Sequence, residues 1–259
     1  MVILNHKFYI NFKKMIIVSI IVFLIVNFSL ARNLIGREVY STPDNETFSY
    51  IKVSEENLKN YLLDEKIYVI DTRKLSKSAS GYIKNTILLP KSMFSFIFSI
   101  VPIGSEIIIV TDEENKQITI ESLIELYSYA YKFIGYALFS EITSKNAFDL
   151  QVVEFNPNSN ENIQQIIEKN ENIIDIREIN EFKKTGYVKN SILIPLSNFL
   201  TNYNEIPTQG DVYIFCQSGT RSLIGMTFLR RKGYKNRFII MKGGINRAIE
   251  EGFPLISYE

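Results

Sequence analysis

Apolar residues in this chain gather in short unbroken runs rather than alternating with polar ones. EIIIVT (Glu106–Thr111) and VYIFC (Val212–Cys216) have strand length and no polar face, so each predicts a strand buried on both sides. Amphipathic stretches lie between such runs. Ser54 and Ser159 each precede one, with Leu58 and Leu62 in the first matched by Ile163 and Ile167 in the second, the pattern of N-capped helices. The stretch SLIGMTFLRRKGY, from Ser222, places Leu223, Ile224, Met226, Phe228 and Leu229 on an apolar face. It closes with Arg230, Arg231 and Lys232 before Gly233, a basic last turn and a glycine stop.

Two stretches match at an offset of roughly 105 residues, a domain-sized period that indicates a duplication rather than a solenoid. VIDTRKLSKSASGYIKNTILLP (Val69–Pro90) aligns with IIDIREINEFKKTGYVKNSILIP (Ile173–Pro195). The pairs Asp71/Asp175, Arg73/Arg177, Gly81/Gly186, Tyr82/Tyr187, Asn85/Asn190 and Pro90/Pro195 coincide. Each unit reads helix, strand, loop, short strand, helix, strand, helix, which predicts an α/β fold of two tandem domains, each a parallel β-sheet covered by helices on both faces. The expected boundaries are 51–150 and 159–259, with the Asn-rich tract Asn156–Asn160 as linker and residues 32–50 as a spacer.

The segment before the spacer has a different character. Lys7, Lys13 and Lys14 precede the apolar run Met15–Phe28, roughly 14 residues against the ~20 that cross a bilayer, and Ser29-Leu30-Ala31 follows. This is the order of an export signal over residues 1–31, cleaved after Ala31, with Met15 as an alternative start. The competing reading is an uncleaved anchor that ties the protein to the membrane through residues 15–31. Either one places the rest of the chain in the periplasm or cell envelope.

Counting narrows the chemistry. Lys and Arg number 29 against 28 Asp and Glu, a net charge of +1, so nothing points to nucleic acid as partner. The single histidine, His6, lies in the N-terminal tail, which removes Ser-His-Asp triads, Cys-His dyads and His-rich zinc sites. With Cys216 the only thiol, disulfides, Cys-x-x-Cys pairs and iron–sulfur clusters are also removed, and no metal or cofactor is expected. Cys216 falls between a strand's C-terminal end and a helix N-terminus, where unpaired N–H groups and the positive end of the helix dipole favour negative charge on sulfur. Gly219 permits a tight curl and Arg221 adds a fixed positive charge. The bland alternative is a small buried hydrophobe.

Taken together, Cys216-x-x-Gly219-x-Arg221, Asp175-x-Arg177, Gly186-Tyr187-Val188 before Ile192-Leu193-Ile194-Pro195, and Met241-Lys242-Gly243-Gly244-Ile245 resemble the rhodanese-like (thiosulfate sulfurtransferase) family in its tandem form. The resemblance implies two rhodanese-like domains and a sulfurtransferase that moves sulfane sulfur from a small sulfur-containing anion to a thiol or cyanide-like acceptor through a Cys216 persulfide. Catalysis would rest on Cys216 and Arg221, substrate binding on Gln217, Ser218, Gly219 and Thr220, and support on Asp175 and Arg177, which read most simply as a bracket for the loop. Tyr82 and Tyr187 stand where the family usually has His, Gln217 where Arg is frequent, and Ala248 in place of a common Trp. In the first unit Thr111 replaces the cysteine and Asp112-Glu113-Glu114-Asn115-Lys116 the rest of the loop, which marks that unit as non-catalytic. Two other functions compete: a non-enzymatic persulfide carrier or interaction module on the same fold, and a cysteine phosphatase. The phosphatase loop is one residue longer, and no general acid is placed for it.

Overall fold

Strand-length apolar runs become the central strands of two parallel sheets. The computed structural model describes residues 37–41, 47–144, 147–156, 160–169 and 171–258, so the expected export signal and Ser159 lie outside the described residues. The first half contains β1 (Arg37–Ser41), β2 (Thr47–Lys52), α1 (Glu55–Leu63), β3 (Ile67–Asp71), α2 (Leu75–Ser78), β4 (Tyr82–Ile83), β5 (Ile87–Leu88), α3 (Ile97–Ile100), β6 (Glu106–Thr111), α4 (Lys116–Tyr127), β7 (Lys132–Leu138), α5 (Phe139–Thr143) and β8 (Leu150–Gln151). The second contains β9 (Phe155–Asn156), α6 (Asn160–Glu168), β10 (Asn172–Asp175), α7 (Ile179–Thr185), β11 (Ile192–Leu193), α8 (Phe199–Asn202), β12 (Val212–Phe215), α9 (Thr220–Arg231), β13 (Phe238–Met241) and α10 (Gly244–Glu250).

The duplication seen in the sequence is a duplication of topology. The first sheet runs β1-β2-β7-β6-β3-β5 and the second β9-β13-β12-β10-β11, so β2, β7, β6, β3 and β5 correspond in order to β9, β13, β12, β10 and β11. From β2 and from β9 onward every neighbouring pair is parallel. The segment expected as a spacer supplies β1 and most of β2, because Phe48 and Tyr50 carry enough apolar surface to extend the sheet edge. A short antiparallel pair, Tyr82 opposite Gln151, closes the first half, and a bridge between Tyr187 and Ile256 does the same in the second.

Successive residues of a strand point to opposite faces, and three cores result. Val69, Ile108 and Val110 face a core with Leu58 and Leu62 of α1, whereas Ile173, Phe215 and Met241 face one with Ile163, Ile166, Ile245 and Ala248. The alternate residues Ile70, Ile107 and Ile109 of the first sheet and Ile174, Ile214 and Ile240 of the second meet in a single central core, filled by Ile97, Ile100, Ile120, Leu123, Phe199, Leu223 and Phe228. Each such side chain contributes about 1.5–3 kcal/mol on burial, so the shared core couples the stability of the two halves. Residues Val39–Glu259 accordingly form one compact unit. Of the aromatic residues leading into β7, Tyr131 is buried with its hydroxyl on the Val101 carbonyl and Phe133 packs against Tyr50, whereas Tyr129 is 76% exposed because it lies in a turn before β7.

Candidate functional site

Cys216 follows the last residue of β12, and α9 begins four residues later. The thiol is fully buried and belongs to the central core, yet the backbone N–H of Gly219 donates to its sulfur at 3.0 Å. Gly219 makes that geometry possible with φ at +93°, a left-handed conformation costly to any residue with a Cβ. The outer side of the loop is clamped by α10. Ile245 N–H donates to the Cys216 carbonyl at 2.9 Å and Asn246 N–H to the Gln217 carbonyl at 3.0 Å. A trans peptide directs its C=O and N–H oppositely, so these bonds turn the N–H groups of Gln217 and Ser218 away from α10. The close approach requires Gly244, where an added Cβ would lie 2.2 Å from the Cys216 carbonyl oxygen. The Gln217 amide donates to the Asn246 side-chain oxygen, and the exposed Ser218 hydroxyl reaches Thr220 Oγ1 at 3.4 Å.

Arg221 lies in the first turn of α9 and is held by Glu181 of α7 through two hydrogen bonds of 2.6 Å, one to each carboxylate oxygen. Burial alone would lower the Arg221 pKa, but the Glu181 hydrogen bonds and charge, with Cys216 acting in the same sense, raise it. Glu181 in turn is lowered, chiefly by the Arg221 hydrogen bonds against the effect of its own partial burial. Glu181 is fixed from behind by a reciprocal cap: Glu178 N–H donates to its Oε2 at 3.0 Å and Glu181 N–H donates to the Glu178 side chain, which also accepts from Ser197. Sequence reasoning did not find Glu181, Asn246 or the clamp at Gly244, all of which act across elements distant in the chain.

Asp175 and Arg177 stand beside the loop as a bracket. Arg177 Nε and Nη2 bond the Asp175 carboxylate at 2.6–3.0 Å, Nη2 also holds the Gly186 carbonyl at 2.8 Å, and Nη1 holds Thr185 Oγ1 at 2.6 Å. The first half repeats the unit: Arg73 bonds Asp71 at 2.7–3.2 Å and the Gly81 carbonyl at 2.7 Å. Because both halves build it, the bracket answers to the fold and not to the thiol. Tyr82 is core, Tyr187 stacks on Phe182 at 4.5 Å and Ala248 is buried, so these departures from the usual residues are packing substitutions.

Strand register identifies the counterpart of Cys216. Asp71 pairs with Val110 and Asp175 with Phe215, which places Thr111 and Cys216 at the same position. Its loop differs in shape as well as charge. Glu114, which aligns with Gly219, lacks its positive φ, and a 3-10 turn over Glu113–Asn115 replaces the curl. Lys77, aligned with Glu181, bonds Asp112 at 2.8 Å and Glu114 at 3.0 Å.

Residues 159–251 match the rhodanese-like domain family. A sulfurtransferase of Allochromatium vinosum is 31% identical over 87 residues, covering 34% of this chain and 79% of that protein. A putative sulfur carrier protein of Bacillus subtilis, YrkF, is 30% identical over 105 residues, covering 40% of this chain and 54% of that one. Among solved structures, a thiosulfate sulfurtransferase of Pseudomonas aeruginosa has a TM-score of 0.36 at 17% identity; the match covers 80% of this chain and spans 44% of that structure. The chain belongs to the rhodanese-like family, with residues 159–251 carrying the family domain.

Proposed function

We propose that the chain is a single-site sulfurtransferase in which Cys216 carries sulfane sulfur as a persulfide. The observation that carries this reading is the 3.0 Å bond from Gly219 N–H to the Cys216 sulfur, at a strand end that opens into the α9 N-terminus beside Arg221. In the first step the Cys216 sulfur attacks the terminal sulfur of the donor. An S–S bond forms, the donor's bond to that sulfur breaks, and the electron pair leaves with the donor residue, as sulfite from thiosulfate or as thiolate from a persulfide. An acceptor thiolate or cyanide then attacks the outer sulfur and returns the Cys216 thiolate. Negative charge moves out to the added sulfur and back along a path lined by the fixed dipoles of the loop amides, with Arg221 beside it and its charge offset by Glu181. Gln217, Ser218 and Thr220 border the position of the outer sulfur.

The first half is non-catalytic in this reading and serves as a buttress. Thr111 offers no thiol, while Arg231, near the end of α9, donates to the carbonyls of Asp64, Glu65 and Ile67 at 2.6–3.3 Å and lies over the Tyr68 ring. A second reading, a carrier that is loaded but does not turn over, is favoured by the complete burial of Cys216. Mass spectrometry after incubation with thiosulfate or a persulfide tests both. A one-sulfur adduct on Cys216 that cyanide or thiol discharges repeatedly is expected, with none in Cys216→Ser. An adduct that no acceptor discharges indicates the carrier, and no adduct from any donor overturns sulfur transfer.

A further inference from the structure

We propose that Glu181 sets donor specificity: by cancelling the charge of Arg221 it disfavours dianionic donors and reserves the loop for low-charge sulfane sulfur, the persulfide of a small thiol. This rests on the sulfur-transfer reading above. Among residues 216–221 Arg221 is the single cation, and both of its outer nitrogens are engaged by Glu181. The α10 residues that clamp the loop, Ile245 and Asn246, add no charge. A donor with two negative charges therefore meets Glu181 without an uncompensated cation in the loop to offset it. A persulfide, with at most one negative charge, is served by the backbone amides and the helix dipole.

The duplication supplies an independent argument. Lys77 occupies the Glu181 position in the first half and pairs with Asp112 and Glu114 of the loop that corresponds to the Cys216 loop. Both halves thus carry an ion pair between the short helix and the loop, with opposite polarity on the helix. The acid at position 181 is then not dictated by packing.

The reaction separates the two donors cleanly. With a persulfide, Cys216–SH and R–S–S⁻ give Cys216–S–S⁻ and RSH: one S–S bond forms, one breaks, and the proton passes to the departing thiol. With thiosulfate, the Cys216 thiolate gains the outer sulfur and sulfite leaves with both of its negative charges.

Single-turnover loading of Cys216 in the full chain, followed by mass spectrometry against donor concentration, compares thiosulfate with the persulfide of 2-mercaptoethanol, whose one ionisable group is the persulfide itself. Wild type is expected to favour the persulfide, and Glu181→Gln, which keeps an acceptor for Glu178 N–H, is expected to raise the thiosulfate-to-persulfide ratio of loading efficiencies about tenfold. The gain should appear in the half-saturating thiosulfate concentration rather than in the limiting rate. A ratio is insensitive to any loss of folded protein, so a merely structural Glu181 leaves it unmoved. A ratio that stays within about twofold, or shifts toward the persulfide, overturns the specificity role while leaving sulfur transfer intact. Loading by neither donor in wild type overturns both.

Discussion

The backbone N–H of Leu88, in the edge strand of the first sheet, donates to Thr227 Oγ1 of α9 at 3.0 Å. Both residues are fully buried, and Thr227 also bonds the Leu223 and Ile224 carbonyls of its own helix. Thr227→Val keeps the shape of the side chain and removes the acceptor, leaving a buried amide without a partner. The expected cost is about 1–3 kcal/mol, read as a lower urea midpoint at unchanged slope. Because the core is shared, one transition is expected for both halves. A separate unfolding of residues 159–258 would contradict the shared core.

The strand runs, the duplication and the Cys216 loop were legible because each is local: an apolar stretch, a repeated Asp-x-Arg, a glycine at a fixed spacing. The Asp175–Arg177 bracket was also legible, since its two residues face each other at i and i+2. What sequence could not reach were contacts made across elements. Glu181 touches Arg221 from 40 residues away, and Gly244 is needed where two loops pass within van der Waals contact and the backbone takes a φ of +57°. One signal was available for Glu181. The aligned pair Lys77/Glu181 inverts charge as the loop exchanges Asp112, Glu113 and Glu114 for the neutral Gln217, Ser218 and Gly219, while the cation at Lys116/Arg221 is kept. The strand β1 was missed because the edge residues Arg37–Ser41 have mixed polarity, and pairing with a neighbour rather than an apolar run makes them a strand.

The two glycines of the site share a positive φ, +93° at Gly219 and +57° at Gly244, and differ in steric room. At Gly219 a Cβ would have ordinary clearance, with Gly243 N and Met241 O each at 3.5 Å, so Gly219→Ala incurs only the left-handed penalty of about 1–2 kcal/mol. At Gly244 the Cβ would collide with the Cys216 carbonyl oxygen at 2.2 Å and with the Gln217 carbonyl at 2.8 Å. Gly244→Ala should therefore break the clamp from α10, displace the Cys216 loop and lose sulfur loading by more than Gly219→Ala does. Loading rates measured beside urea midpoints check the order. Equal effects on loading would mean that the clamp does not position the loop.

The Glu181–Arg221 pair has a predictable response to acid. The carboxyl of Glu181 is lowered in the folded protein, so it binds fewer protons folded than unfolded near its ordinary pKa. Its stabilising contribution is complete above about pH 5.5, a unit above the ordinary glutamate value, and disappears as pH falls through the depressed value. Since Glu181 remains one-third exposed, the contribution is on the order of 0.5–1 kcal/mol. Urea midpoints of wild type and Glu181→Gln should differ at pH 7 and converge toward pH 3. A gap that widens in acid would reverse the assigned sign.

The sharpest test of the reading of the first half is to give it the missing thiol. Thr111 stands at the register position of Cys216, so Thr111→Cys places sulfur at the corresponding strand end. Two features of the loop oppose a working site. Asp112, Glu113 and Glu114 bring carboxylates to the next three residues, and Lys77 and Lys116 offset them only at the surface. The backbone also follows a 3-10 turn over Glu113–Asn115, without a positive φ at Glu114, so the curl that delivers the Gly219 N–H to sulfur has no counterpart beside position 111. Charge and conformation both work against a negatively charged sulfur there, and Thr111→Cys on a Cys216→Ser background is expected to load less than about a tenth of the wild-type sulfur. Replacing residues 111–116 as a block with the sequence CQSGTR removes the carboxylates and restores glycine and arginine, and should load more. Its gain remains partial, because Lys77 would then face an arginine in place of its acidic partners. Adding Lys77→Glu to the block supplies the polarity found at Glu181 and should raise loading again. Persulfide stoichiometry by mass spectrometry orders the three variants. Efficient loading by Thr111→Cys alone would show that neither the curl nor the loop charge defines the site.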